Sequence, residues 1–128
     1  MKIYGLGTDI VNINRIKTAI TKNKNFKEKL FSANEIKQCE SKKDKYACFG
    51  KRFAAKEAFS KALGVGISKG LTFKEIEVVK NYEGKPSIKI NGKSLKIVNK
   101  LLKKKKFNSF LSLSDDKPYA VATVILTK

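Results

Sequence analysis

The sequence predicts a single α+β domain: a small antiparallel sheet with one long central helix and several short ones. Three observations predict it. A length of 128 residues at 41% hydrophobic content suits one modest core and argues against disorder. The stretch from about Tyr46 to Leu63 carries Ala54, Ala55, Ala58, Phe59 and Ala62 at helical spacing, long enough for a central helix. The other apolar runs are short and bounded by turn residues, with helices and strands mixed rather than strictly alternating. No repeat, low-complexity linker or internal boundary divides the chain, so residues 1–128 form one domain.

Each element has a local reason. Residues 2–7 read as a strand in which Gly5 and Gly7 allow close backbone approach. Asn12 to about Lys22 reads as a short helix with Ile13, Ile16 and Ile20 on one face. Ser32-Ala33-Asn34-Glu35 has the form of a capping box, so a helix starts there and runs to about Lys42. Ser41 to Lys45 is a charged loop. The central helix follows, with Lys56, Glu57, Ser60 and Lys61 outside its apolar arc, and Gly64 as its cap. Leu71 to Lys80 and Pro86 to Ile90 read as a hairpin around the turn Asn81 to Lys85. Asn91-Gly92 opens a helix whose face is Leu95, Val98, Leu101 and Leu102, ending in the basic run Lys103 to Lys106. Asn108 to Leu113 and Tyr119 to Leu126 are the last strands, joined through Asp115-Asp116-Lys117-Pro118.

Composition excludes several functions. The chain has no histidine, which removes Ser-His-Asp and Cys-His nucleophilic machinery and imidazole-based zinc sites. Catalysis must use carboxylates, lysines, hydroxyls or a metal. No apolar run approaches the roughly 20 residues of a membrane span. Cys39 and Cys48 are too few for a disulfide framework and are expected to be inert thiols in a reduced cytoplasm. The formal charge of +18 calls for an acidic partner. A basic nucleic-acid-binding module is one reading. Against it, only Arg15 and Arg52 are arginines, the residue type that reads bases and phosphates bidentately, and no aromatic RNA-binding signature is present.

The candidate chemistry lies in two segments. Arg52-Phe53-Ala54-Ala55-Lys56-Glu57-Ala58-Phe59-Ser60-Lys61 places one acid, Glu57, among cations. Tyr4-Gly5-Leu6-Gly7-Thr8-Asp9-Ile10-Val11 ends an apolar run on another lone acid, Asp9. Two acids on separate regular elements suit a hard divalent cation whose shell is completed by substrate phosphates. The same segments, Gly-Thr-Asp-Ile and Arg-Phe-Ala-Ala-Lys-Glu-Ala-x-x-Lys, resemble the signatures of the holo-acyl-carrier-protein synthases, the small phosphopantetheinyl transferases. Phe31 to Ile36, Gly64 to Gly70, Phe73 to Val79, Gly84-Lys85-Pro86 and Ser112 to Ala122 follow in the family's order, so the likeness covers nearly the whole chain.

The resemblance implies transfer of 4′-phosphopantetheine from coenzyme A to a serine of apo acyl carrier protein, in support of fatty acid biosynthesis. It implies Mg2+ held by Asp9 and Glu57, with Glu57, or a water it orients on the metal, taking the serine proton. Lys61 is expected to neutralise the pyrophosphate. Arg52 and Lys56 are expected at coenzyme A phosphates, as are the amides of Gly64-Val65-Gly66, with Ser112 on a cofactor-lining strand. Arg15 and its lysine neighbours are the expected contact for the acidic carrier protein, and a homotrimer with sites between subunits is the expected assembly. The chain departs from the family where relatives carry histidines: Phe110 and Asp115 stand there, and Lys51 stands where a small residue is usual. Either the histidine role is dispensable or Asp115 substitutes as an acceptor, and Lys51 is expected to add a phosphate contact. A broader-specificity transferase is a rival, disfavoured because such chains are about twice as long.

Overall fold

The computed structural model describes residues 2–65, 70–103 and 106–128. The elements run β1 (Ile3–Asn12), α1 (Ile13–Lys22), α2 (Phe26–Leu30), α3 (Ala33–Glu40), α4 (Lys45–Leu63), a 3-10 turn (Phe73–Glu75), β2 (Ile76–Lys80), β3 (Pro86–Ile90), α5 (Gly92–Leu102), β4 (Asn108–Asp116) and β5 (Tyr119–Thr127). The α+β class holds, but the strands form two antiparallel sheets among the described residues: β1-β5-β4 and the hairpin β2-β3.

Helix α4 is the spine. It packs along one face of β1 and β5, and Ala54, Ala58 and Phe59 meet Val124 and Leu126 in a common core with Val98 of α5. The caps explain where the helices begin. Asn12 caps α1 through Asn14 N–H at 2.9 Å. The capping box at Ser32 is complete, Glu35 N–H donating to Ser32 Oγ and Ser32 N–H to Glu35 Oε1. Asp44 caps α4, and Gly64 ends it at φ +80°, where a residue with a side chain is strained.

Four elements differ from the sequence expectation, one of them β4, which runs on to Asp116 because Asp115 pairs with Ala120 and Asp116 with Tyr119. Strand β1 does not stop at residue 7 but continues to Asn12, because Asp9 pairs with Ala122 and Val11 with Ala120. Ladder pairing overrides the poor strand propensity of Asp. The segment before Ile76 is a 3-10 turn rather than a strand, because Glu75 turns to accept from Ser94 N–H and Oγ at the start of α5. Helix α2, on the Lys-rich stretch after α1, has no periodic pattern to announce it.

Candidate active site

Strand β1 and helix α4 touch backbone to backbone. A Cβ on Gly7 would lie 1.8 Å from the Ala58 carbonyl oxygen, and one on Gly5 1.9 Å from that of Ala62. Alternation then sends Asp9 to the α4 side as well. Lys61, on the last full turn of α4, donates to Asp9 Oδ1 and to the Thr8 carbonyl, both at 3.1 Å. Glu57 stands one turn earlier, four residues from Lys61. Its carboxyl is pushed above the usual carboxylate range by partial burial first and by the charge of Asp9 second, with Lys61 pulling the other way. Two carboxylates thus lie within electrostatic reach of each other at the strand–helix seam, one of them, Asp9, bonded to Lys61. No group of three or more cysteine, aspartate or glutamate side chains able to hold a metal occurs among the described residues.

The other cations of the long motif do something else. The expectation that Lys56 contacts a phosphate is corrected by its position: it is completely buried. Its ammonium donates to Glu35 Oε1 at 2.7 Å, to the Phe73 carbonyl at 2.9 Å and to the Ile76 carbonyl. Burial lowers its pKa, with Glu35 opposing. Arg52 is corrected likewise, with only 2% exposure. It donates to Gln38 Oε1 and to the sulfurs of Cys39 and Cys48. Both long chains point away from the β1 side of α4, into the layer formed by α3 and β2. Glu35 was read from sequence only as half of a capping box. It also accepts from Val78 N–H at 3.0 Å, so a single carboxylate ties α3, α4 and β2 together.

The remaining expectations separate in the same way. The Gly64 and Val65 amides donate to the Lys61 and Ser60 carbonyls, so they are consumed by the helix cap and are not offered to an anion. Gly66, and Lys104 and Lys105 of the basic run, lie outside the described residues. Ser112 is aligned with Thr123, and Thr123 with Thr8, on the face of the sheet opposite Asp9. Arg15 is exposed on α1. Lys51 and Asp115 pair with each other at 3.1 Å. They help line a cavity of about 280 Å3 with Lys42, Lys43 and Lys80. Cys39 and Cys48 are not free thiols: they form a disulfide between α3 and α4, with their Cα atoms 5.4 Å apart.

Residues 5–124 match the 4′-phosphopantetheinyl transferase superfamily. The chain belongs to this family. It is 49% identical to the holo-[acyl-carrier-protein] synthase of Pelagibacter ubique over all of this chain and 99% of that one. It is 44% identical to the synthase of Ruminiclostridium cellulolyticum, over 95% of this chain and 90% of that one. Its fold superposes on the Neisseria meningitidis synthase with a TM-score of 0.85 at 31% identity, covering 99% and 100% of the two chains. The Helicobacter pylori synthase, solved in complex with coenzyme A, gives 0.80 at 33% identity over 95% and 99%. The protein is therefore an enzyme of the phosphopantetheinyl transferase family. The Asp9–Glu57–Lys61 seam brings two carboxylates and a partly exposed lysine together, and the buried Lys56 and Arg52 build the scaffold behind it.

Proposed function

We propose that the protein transfers 4′-phosphopantetheine from coenzyme A to a serine of an apo acyl carrier protein, releasing adenosine 3′,5′-bisphosphate. The observation that carries this reading is the approach of Asp9 and Glu57 at the β1–α4 seam, close enough for the charge of Asp9 to raise the Glu57 pKa, with Lys61 at 3.1 Å from Asp9. Names of relatives at up to 49% identity support it. The two carboxylates suit Mg2+, which keeps waters and substrate phosphates in its shell and needs few protein ligands. Asp9 and Glu57 would hold that ion, whose charge would offset the charge of the pyrophosphate. Lys61 supplies a second positive charge for the leaving bisphosphate. Glu57, or a water that it orients, would accept the serine proton as the hydroxyl attacks the pantetheine-side phosphorus. The acidic carrier protein is drawn to the exposed Arg15 and the lysines around it.

The active form is a homotrimer in the cytoplasm, serving fatty acid biosynthesis. One face of the β1-β5-β4 sheet supports the oligomer. Leu6 is 63% exposed there, Ile10 62% and Phe110 50%, more apolar surface than a lone sheet face leaves to water. Ser112 sits on that face, so it reaches a cofactor only across a subunit boundary. No helix among the described residues is long and apolar enough to cross a membrane.

The decisive experiment is intact-mass spectrometry of an apo acyl carrier protein incubated with the enzyme, coenzyme A and Mg2+. A gain of one phosphopantetheine that EDTA prevents is the expected outcome. No gain with coenzyme A still bound would overturn the acceptor assignment.

A further inference from the structure

The two sulfurs joining α3 to α4 have unlike surroundings. Cys39 is fully buried, whereas Cys48 keeps 6% exposure and lines the cavity that Lys42, Lys43, Lys51 and Lys80 share. Two carboxylates also line it, and both are occupied: Asp44 by Lys117, and Asp115 by Lys51. Positive charge therefore dominates the opening. Its crowding is felt at Lys80, whose pKa is lowered by burial first and then by Arg52, Lys51 and Lys42. Behind the sulfurs lies Arg52, whose Nη1 donates to Cys48 Sγ at 2.6 Å and to Cys39 Sγ at 3.2 Å. A guanidinium against sulfur favours the thiolate over the thiol.

We propose that Cys48 is a thiol–disulfide exchange site for an anionic low-molecular-weight thiol, attracted by the cavity lysines and assisted by Arg52. The site is separate from the Asp9–Glu57 seam and does not rest on the transferase reading. The thiolate of the small molecule enters through the cavity and bonds to Cys48 Sγ. The Cys39–Cys48 bond breaks, and Cys39 leaves as a thiolate beside Arg52. A second small thiolate attacks the sulfur of the first, releasing a small-molecule disulfide and the Cys48 thiolate. Two electrons pass from the two small thiols to the protein, and their protons end on Cys39 and Cys48. In a reducing compartment a bond of this kind is transient and redox-sensing rather than a permanent staple. Opening it releases the end of α3 from α4 and lowers Tm by about 5–10 °C, the effect of a short closed loop in a chain this size.

The test uses the wild-type chain purified without reductant. Alkylation in denaturant should add no label, and two labels after reduction. Two labels without reduction would overturn the proposal. Opening rates, corrected for thiolate fraction, are then compared for glutathione and coenzyme A (anionic), 2-mercaptoethanol (neutral) and cysteamine (cationic). The anionic thiols should react about tenfold faster than cysteamine at low salt, with the advantage lost near about 0.5 M NaCl. Equal rates, or a faster cysteamine, would refute the role of the lysines. The faster of glutathione and coenzyme A identifies the natural class, peptide or nucleotide. With glutathione disulfide, C39S should gain one glutathione and C48S none; the reverse pattern would refute entry at Cys48. If either variant fails to fold, the wild-type rates decide.

Discussion

Replacing Gly7 by alanine should damage stability and catalysis together, by amounts the structure sets. The added Cβ would stand 1.8 Å from the Ala58 carbonyl oxygen and 2.7 Å from Ala62 N. Both are backbone atoms of α4, so no side-chain rotation relieves the clash. Bringing the nearest contact to 3.0 Å requires strand and helix to part by about 1.2 Å. Neither element yields easily, since β1 is paired to β5 along its length and α4 is packed on both sheets. Overpacking of this kind costs about 1–3 kcal/mol, and the rigidity of both partners places Gly7→Ala near about 3 kcal/mol. That is a large share of the roughly 5–15 kcal/mol that holds a domain folded.

The same movement carries Asp9, two residues along on the same face, away from Glu57 and Lys61. The Lys61–Asp9 contact, 3.1 Å in the structure, would stretch beyond ion-pair range. A misplacement of about 1 Å at a reacting centre costs about a hundredfold in rate. The assay is urea unfolding at fixed protein concentration, paired with the initial rate of phosphopantetheine transfer by intact mass. Gly84→Ala is the control. Gly84, unlike Gly7, lies at positive φ but would meet nothing within 4 Å of an added Cβ, so Gly84→Ala should lose about 1 kcal/mol and keep its rate. A Gly7→Ala variant with the wild-type urea midpoint and rate would refute the claim that strand–helix approach positions Asp9.

Lys56→Met should cost about 3–5 kcal/mol in urea unfolding, because it leaves the Glu35 carboxylate buried without its cation. A near-neutral result would show that Glu35 is protonated or relieved by water. Glu57→Gln should abolish transfer yet raise Tm at neutral pH. A carboxyl whose folded pKa is raised binds its proton more tightly folded than unfolded, so its ionisation costs stability as pH rises from about 4.5 through the folded value. A lower Tm at pH 7 for this variant would contradict that sign. For the same reason the Glu57 carboxyl of the metal-free protein should titrate above the ordinary carboxylate range, read from an NMR pH titration in EDTA; a value in or below that range would contradict the effect of burial and of Asp9. Leu6→Glu, on the exposed sheet face, should convert a trimer to monomers by light scattering; an unchanged trimer would move the interface elsewhere.

The helices other than α2 were legible because their signals are local. The Ser32–Glu35 box and the Gly64 stop are side-chain and backbone devices contained within a few residues, and both are present as read. The extent of β1 was not legible, because what extends it past Gly7 is pairing with a strand more than 100 residues away. Motif membership identified Asp9, Glu57 and Lys61, and these do converge. The same membership misled at Arg52 and Lys56. On a helix packed on nearly all sides, polar residues outside the apolar arc are not thereby at the surface. The sign that could have separated them is spacing: Arg52, Lys56 and Ser60 recur every four residues, while Glu57 and Lys61 form the adjacent row.

Those two rows explain how one helix serves both structure and chemistry. A buried cation needs a partner on every donor, and Lys56 has it in Glu35 and two carbonyls, which fixes α4 against α3 and β2. The row beside it is left short of partners. Glu57 has a negative neighbour in Asp9 and only one lysine to offset the two of them. Like charges held close by backbones that cannot separate are costly, and a divalent cation with phosphate oxygens bound between them would remove that cost. The rigid row makes the strained row possible: without the Lys56–Glu35 anchor on one side and the Gly5 and Gly7 contact on the other, α4 would rotate and let the two carboxylates drift apart.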